Sequence, residues 1–123
     1  MNLGESAGSA PKTYALIGCG KVAVKHLKAV RQFRQQFKLV ALVDSNKEAV
    51  SRLLNLTGYS VTEQTQVRVY ADYREMLSRE KPEIAAITTP SGSHYKMGMA
   101  ALAAGAHLIM EKPLTLSLSE ADE

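Results

Sequence analysis

Short apolar runs alternate with segments of helical spacing along almost the whole chain, and that alternation constrains the fold more than any other feature. The runs are Tyr14-Ala15-Leu16-Ile17, Leu39-Val40-Ala41-Leu42-Val43, Val67-Arg68-Val69-Tyr70, Ile84-Ala85-Ala86-Ile87 and His107-Leu108-Ile109-Met110. All but the Val67 run are nearly continuous, as strands read when helices cover both faces of a parallel sheet. The Val67 run alternates more and is expected at or near an edge. Between the first two runs, Ala23, Leu27, Val30, Phe33 and Phe37 recur three or four residues apart and predict one helix over 21–37. Ser45 with Glu48 has capping-box spacing and predicts a second helix through Leu56. Asp72 with Glu75 repeats that spacing before Met76 and Leu77, and Pro82 stops the helix. Residues 93–104 form an Ala/Met-rich helix, with Gly105 where a left-handed cap belongs. Ser117 with Glu120 starts one more.

Strand and helix in alternation, with short connections, is the doubly wound α/β pattern. Right-handed crossovers limit the topology, and the expected order is a parallel Rossmann sheet 3-2-1-4-5. With 123 residues, 46% hydrophobic and 22% charged, the chain has the size of one domain with a core of its own. Residues 1–11 are small, polar and Gly/Ser-rich and read as a flexible leader, leaving 12–123 as the domain. The lone cysteine, Cys19, excludes a disulfide framework and a Cys-rich zinc site, and no metal site is expected. Seven Lys/Arg and no acid fall between Lys12 and Lys38, yet the net charge of +3 is too small to argue for nucleic acid. There is no apolar run of the roughly eighteen residues a membrane span needs, nor a secretory signal pattern. A reduced, cytoplasmic setting is the expectation.

The sharpest local motif is Gly18-Cys19-Gly20-Lys21-Val22-Ala23, between the first strand and the first helix. It is G-x-G-x-x-A, the alanine variant of the dinucleotide fingerprint. Gly18 permits the tight turn, Gly20 lets a pyrophosphate approach the backbone, and Ala23 lets helix and strand pack closely. Free amides at the helix start and the positive end of its dipole favour phosphate. A bare tight turn with small packing residues is the competing reading. Asp44 closes the second strand, 26 residues after Gly18. A carboxylate there accepts from ribose hydroxyls and repels a 2′-phosphate, which favours NAD over NADP. The plainer reading of Asp44 is a helix-start residue before Ser45 and Asn46. No Gly-x-x-x-x-Gly-Lys-Ser/Thr is present, which argues against an ATP-type loop.

Two further clusters follow greasy strands, where such sheets bind ligands. One is Thr88-Thr89-Pro90-Ser91-Gly92-Ser93-His94; the other is Glu111-Lys112-Pro113. Pro90 and Pro113 fix backbone geometry and suit a rigid wall. Lys112 or His94 could exchange a proton with an alcohol if its pKa is tuned; the alternatives are a solvated lysine paired with Glu111 and a polar helix-start residue. His26 reads as lying at the edge of the site or in solvent, and His107 as structural. Cys19 sits where a helix N-terminus favours a thiolate, but reads as a small apolar filler. Met97, Met99 and Met110 read as core.

With these clusters in hand, the chain resembles the N-terminal half of the glucose–fructose oxidoreductase/inositol dehydrogenase/MocA family, from about Lys12 onward. The resemblance rests on Ala15-Leu16-Ile17-Gly18-Cys19-Gly20, His26 with Ala29, Ala41-Leu42-Val43-Asp44, and Thr89-Pro90 followed by His94. It also rests on Ala104-Gly105-Ala106-His107 leading to Glu111-Lys112-Pro113-Leu114. The resemblance implies a nicotinamide-dependent oxidoreductase of sugars, polyols or related carbohydrates, with Lys112 beside the nicotinamide and the substrate hydroxyl. Gly18, Cys19, Gly20, Lys21, Val22, Ala23, Asp44, Ser45, Thr89, Pro90, His94, Glu111 and Pro113 are the expected cofactor-binding positions. Ser91-Gly92 departs from the asparagine many members carry after Thr-Pro and looks like members acting on UDP-linked amino-sugar acids. The family's second, C-terminal domain is not matched, so a cofactor-binding fragment without turnover, able to self-associate, is expected. The alternative is a stand-alone dinucleotide module. A methyltransferase also fits Gly-x-Gly, but leaves Thr89-Pro90 and Glu111-Lys112-Pro113 without a role.

Overall fold

The computed structural model describes residues 10–89 and 94–110, with only the backbone of His94. Most of the leader, Pro90, Glu111, Lys112, Pro113, the His94 side chain and the helix start at Ser117 therefore lie outside the described residues. Five strands, β1 (Lys12–Ile17), β2 (Phe37–Val43), β3 (Arg68–Tyr70), β4 (Ile84–Ile87) and β5 (His107–Met110), form one parallel sheet in the order β3-β2-β1-β4-β5. The expected topology is the observed one. Helices α1 (Lys21–Gln32) and α2 (Lys47–Leu56) lie over one face, with Leu27, Val30, Leu53 and Leu54 packed on Leu16 and Leu42. Helices α4 (Tyr73–Glu80) and α5 (His94–Ala103) lie over the other, with Met76, Leu77 and Ala101 packed on Ile17, Val43 and Ile87. Successive strand side chains point to opposite faces. The runs of β1 and β4 are apolar throughout because both of their faces are covered.

Several expectations about the elements need correction. The first helix ends at Gln32, not at residue 37. Phe33 takes the cap position with 47% of its surface exposed, and Phe37 opens β2, where it meets Tyr14 edge to face. Helical spacing continued past the real end because Phe33 and Phe37 stay four apart in any conformation. The cap of α2 is Asn46 rather than Ser45: its side chain accepts from the amides of Glu48 and Ala49. A further short helix, α3 (Val61–Gln64), was not foreseen; Ser60 and Glu63 form its capping box. Helix α4 begins at Asp72 as expected and ends on Lys81 in the left-handed region, φ 45°, just before Pro82. Gly105 follows α5 at φ 89°, as anticipated.

Both edge strands are the ones the expected order puts there, while the burial of β5 differs from its continuous apolar run. β3 is an edge strand, as its alternation suggested. β5 is the opposite edge, and among the described residues only one of its faces is packed. Leu108 and Met110 lie over Gly98 of α5, while His107 and Ile109 are exposed on the other side. The His107 amide donates to the Glu83 carbonyl, and its side chain is outside the core. Met99 is likewise exposed rather than core.

Candidate functional site

The sheet order puts the carboxyl ends of β1 and β4 side by side, with their following helices on opposite faces. A crevice must open where the chain departs in both directions. A cleft of about 380 Å³ lies there. It is lined by Ile17 at the end of β1 with Gly18, Cys19 and Gly20 after it, and by Val43 at the end of β2 with Asp44 and Ser45 after it. Ala71 and Tyr73 follow β3, Thr88 and Thr89 follow β4, and Met97 comes from α5.

The two glycines of the turn have different causes. Gly18 adopts φ 97°, and a Cβ there would lie 2.7 Å from Thr89 Cγ2 and 2.9 Å from the Thr89 amide nitrogen. Backbone conformation and the approach of β4 both require glycine. Gly20 has φ −85°, open to any residue, and an added Cβ would meet nothing within 4 Å. Among the described residues nothing requires glycine at position 20. The space beside it is what a ligand approaching the backbone would need.

Gly20 caps α1 without a side-chain hydrogen bond, and the first turn carries no acid. Among the described residues the amides that open α1 therefore have no N-cap side chain, and they carry the positive end of the helix dipole. Ala23 is fully buried at the contact with β1 and could not be larger without forcing helix and strand apart. Lys21 and Val22 are exposed on the first turn.

Hydrogen bonds hold this turn from both flanks. The Gly18 amide donates to the Val43 carbonyl at 2.8 Å, and the Cys19 amide to Asp44 Oδ2 at 2.8 Å. On the β4 side, Thr88 Oγ1 donates to the Gly18 carbonyl at 2.6 Å, and the Thr88 amide to the Ile17 carbonyl at 2.8 Å. The other oxygen of Asp44, Oδ1, accepts from the Asn46 amide at 2.9 Å. Burial first, and then the Asp44 carboxylate, push the Cys19 thiol up to about 12. Desolvation outweighs the helix-end effect that would favour a thiolate, so the side chain is a neutral apolar filler.

Of the expected site residues, the structure brings Gly18, Cys19, Gly20, Asp44, Ser45 and Thr89 to one cleft. Lys21, Val22 and Ala23 form the first turn of the helix beside it. His26 is not among the cleft residues; it lines a separate groove with Tyr14, Phe33 and Ile109. Sequence reasoning placed Thr88 in a ligand-side cluster without giving it a role, and missed Ala71, Tyr73 and Met97 as cleft residues. Thr88 had a signal, a polar residue directly after Ile87. Ala71 and Tyr73 had none, because only the strand order carries the end of β3 toward β1. Met97 reads as core by pattern and is half-buried at the cleft wall, with its sulfur 3.5 Å from Thr89 Oγ1.

A dinucleotide fits these groups. There is open space at Gly20, an uncapped helix start for phosphate, a carboxylate at the end of β2 and a mostly apolar cleft. Among the described residues no three His, Cys, Asp or Glu side chains gather as a metal site would need, and no helix is long and apolar enough to cross a membrane.

Comparison with known proteins agrees with that geometry. The D-glucoside 3-dehydrogenase of Escherichia coli K12 is 31% identical over 94% of this chain. A crystal structure of the WlbA dehydrogenase of Chromobacterium violaceum, in complex with NADH and UDP-GlcNAcA, superposes with a TM-score of 0.74 at 28% identity over 87% of the chain. The myo-inositol 2-dehydrogenase of Lactobacillus plantarum superposes at 0.75, with 28% identity over 91%. The chain spans 31%, 29% and 31% of these three proteins, respectively. The model of the Gfo/Idh/MocA oxidoreductase family, described as an NAD-binding Rossmann fold, matches residues 12–123. By fold, by its Gly-x-Gly-x-x-Ala turn and by sequence, the chain belongs to the Gfo/Idh/MocA oxidoreductases and carries their NAD-binding Rossmann domain.

Proposed function

We propose that this domain holds NAD for an oxidoreductase acting on a secondary alcohol of a sugar, a polyol or a UDP-linked sugar acid. The observation that carries the reading is the open space beside Gly20 at an uncapped helix start, a glycine without an internal reason. In this reading the amides of Gly20, Lys21 and Val22 face the pyrophosphate, and Asp44 with Ser45 takes the adenosine ribose. The negative charge of Asp44 disfavours the 2′-phosphate of NADP. By the family resemblance, Thr89, Pro90, His94, Glu111 and Pro113 are further cofactor-binding positions in this reading. The bound nicotinamide supplies a two-electron acceptor for the hydride leaving the carbinol carbon. Lys112, in its neutral form, accepts the hydroxyl proton as the C–O single bond becomes a carbonyl. The substrate class is supported by the glucoside, inositol and UDP-sugar-acid chemistry in the names of the relatives. The setting proposed is the cytoplasm.

The test is calorimetric titration of the 123-residue chain with NADH and NADPH, with turnover assayed in parallel. Binding of NADH, weaker binding of NADPH and no turnover by the chain alone are expected. Absence of NADH binding sinks the reading, and preference for NADPH removes the role given to Asp44. In the intact gene product, Lys112→Ala is expected to abolish turnover on sugar or polyol substrates while leaving NADH affinity within a few-fold; unchanged turnover rules out Lys112.

A further inference from the structure

The carboxylate of Asp44 is already engaged before any ligand is considered. Oδ2 accepts from the Cys19 amide, in the middle of the Gly-Cys-Gly turn, and Oδ1 accepts from the Asn46 amide, just ahead of α2. Asn46 in turn caps α2 with its own side chain. One side chain thus ties the phosphate turn to the end of β2 and to the start of α2. The Cys19 amide is taken by that carboxylate at 2.8 Å, so in the NAD-binding reading the pyrophosphate is left the amides further along the helix start. A carboxylate has about four lone-pair sites, so two remain for ribose hydroxyls after these two bonds.

We propose that Asp44 is a positioning residue for the phosphate turn as well as a ribose acceptor, so that one carboxylate sets both coenzyme choice and pyrophosphate affinity. This deepens, and rests on, the NAD-binding reading above. An uncharged residue at position 44 removes the repulsion of a 2′-phosphate but also gives up the charge-assisted double hold on the Cys19 and Asn46 amides, which loosens the turn. Asparagine has a single acceptor oxygen, and its NH₂ group would face an N–H donor. The pyrophosphate is common to NAD and NADP, so loosening the turn weakens both. Asp44→Asn therefore does not turn the domain into an NADP binder of the original strength.

The test compares wild type and Asp44→Asn in calorimetric titrations with three ligands. These are NAD⁺, NADP⁺ and an NAD⁺ analogue lacking both hydroxyls on the adenosine ribose. The analogue cannot report a ribose contact. The variant is expected to bind it about fivefold or more weakly than wild type, with NADP⁺ binding below the wild-type level for NAD⁺. Equal affinity of both proteins for the analogue, or NADP⁺ binding by the variant as tight as wild-type NAD⁺ binding, overturns the proposal. Amide hydrogen exchange without coenzyme gives an independent readout. Protection at Cys19 is expected in wild type and reduced in the variant, with core amides such as Leu16 and Leu42 unchanged. An unprotected Cys19 amide in wild type also overturns it. Should the variant fail to fold, scalar coupling between the Cys19 amide nitrogen and the Asp44 carboxyl carbon in wild type decides, its presence supporting the clamp and its absence refuting it. If wild type binds no NAD⁺, the functional reading fails, while exchange and coupling still judge the clamp.

Discussion

At the residue scale, the two glycines of one motif separate the demands of the fold from those of a ligand. Gly18→Ala must fit a side chain at φ 97° and 2.7 Å from Thr89 Cγ2, so a loss of about 2–5 kcal/mol in urea unfolding is expected. Gly20→Ala meets nothing within 4 Å, so stability should stay within about 1 kcal/mol of wild type. Its NADH affinity should nevertheless fall about tenfold or more, because the methyl group occupies the approach to the backbone. Tight NADH binding by Gly20→Ala would show that the space has another cause. Cys19 offers a pH-dependent counterpart. Its folded-state value, about 12, lies above the ordinary 9.0 because burial and then Asp44 disfavour the thiolate. The sign follows: this contribution to stability is full below about pH 9 and is lost as pH rises toward 12. Alkylation by iodoacetamide at pH 8 should be slow in the folded chain and fast in urea; rapid labelling of the folded chain would contradict the burial. The motif Gly-x-Gly-x-x-Ala was legible in sequence, but the different reasons for its two glycines were not, since one depends on Thr89, 71 positions away.

At the element scale, capping decided where helices begin and end. Asn46 displaced Ser45 as the cap of α2 because the Asp44 carboxylate accepts from the Asn46 amide and fixes that residue in the extended conformation a cap requires. Helix α1 stops at Gln32 because the chain must turn into β2, where Phe37 pairs with Lys12. Helix α4 ends on Lys81 at φ 45°, a conformation that costs a side chain about 1–2 kcal/mol. Lys81→Gly is expected to raise stability by about 0.5–1 kcal/mol after glycine's own entropy cost, read from the urea midpoint. A lower midpoint would mean that Lys81 makes contacts outweighing its strain. The four longer helices were visible from apolar spacing or capping-box residues and the short α3 was not, while boundaries moved by up to five residues (Phe37 against Gln32) because periodicity does not register a cap.

For the whole molecule, the cleft exists because β1 and β4 are neighbours whose following helices lie on opposite faces. A ligand seated there joins the ends of β1, β2 and β4 and should stabilise the domain as a unit. At a coenzyme concentration near 100 times the dissociation constant, NADH should contribute about 2.7 kcal/mol and raise Tm by roughly 10 °C, followed by circular dichroism. No shift at saturating NADH would leave the cleft without its proposed occupant. The bare face of β5 and the exposed Met99 and Leu102 of α5 belong to this scale too, because a run of apolar residues does not say which of its faces another element covers.

Taken alone, the order of apolar runs and helical segments determined a parallel doubly wound sheet, since handedness and short connections leave few ways to cover both of its faces. It also made the Gly18-Cys19-Gly20 turn at a helix start legible, because such a turn is a local property of consecutive residues. The tertiary structure decided what is non-local. Thr88 and Asp44 grip the same turn from opposite flanks, Tyr73 and Met97 wall the cleft, and His26 falls outside it. Those relations are distances between residues far apart in the chain, and they arise only when packing brings the strand ends together.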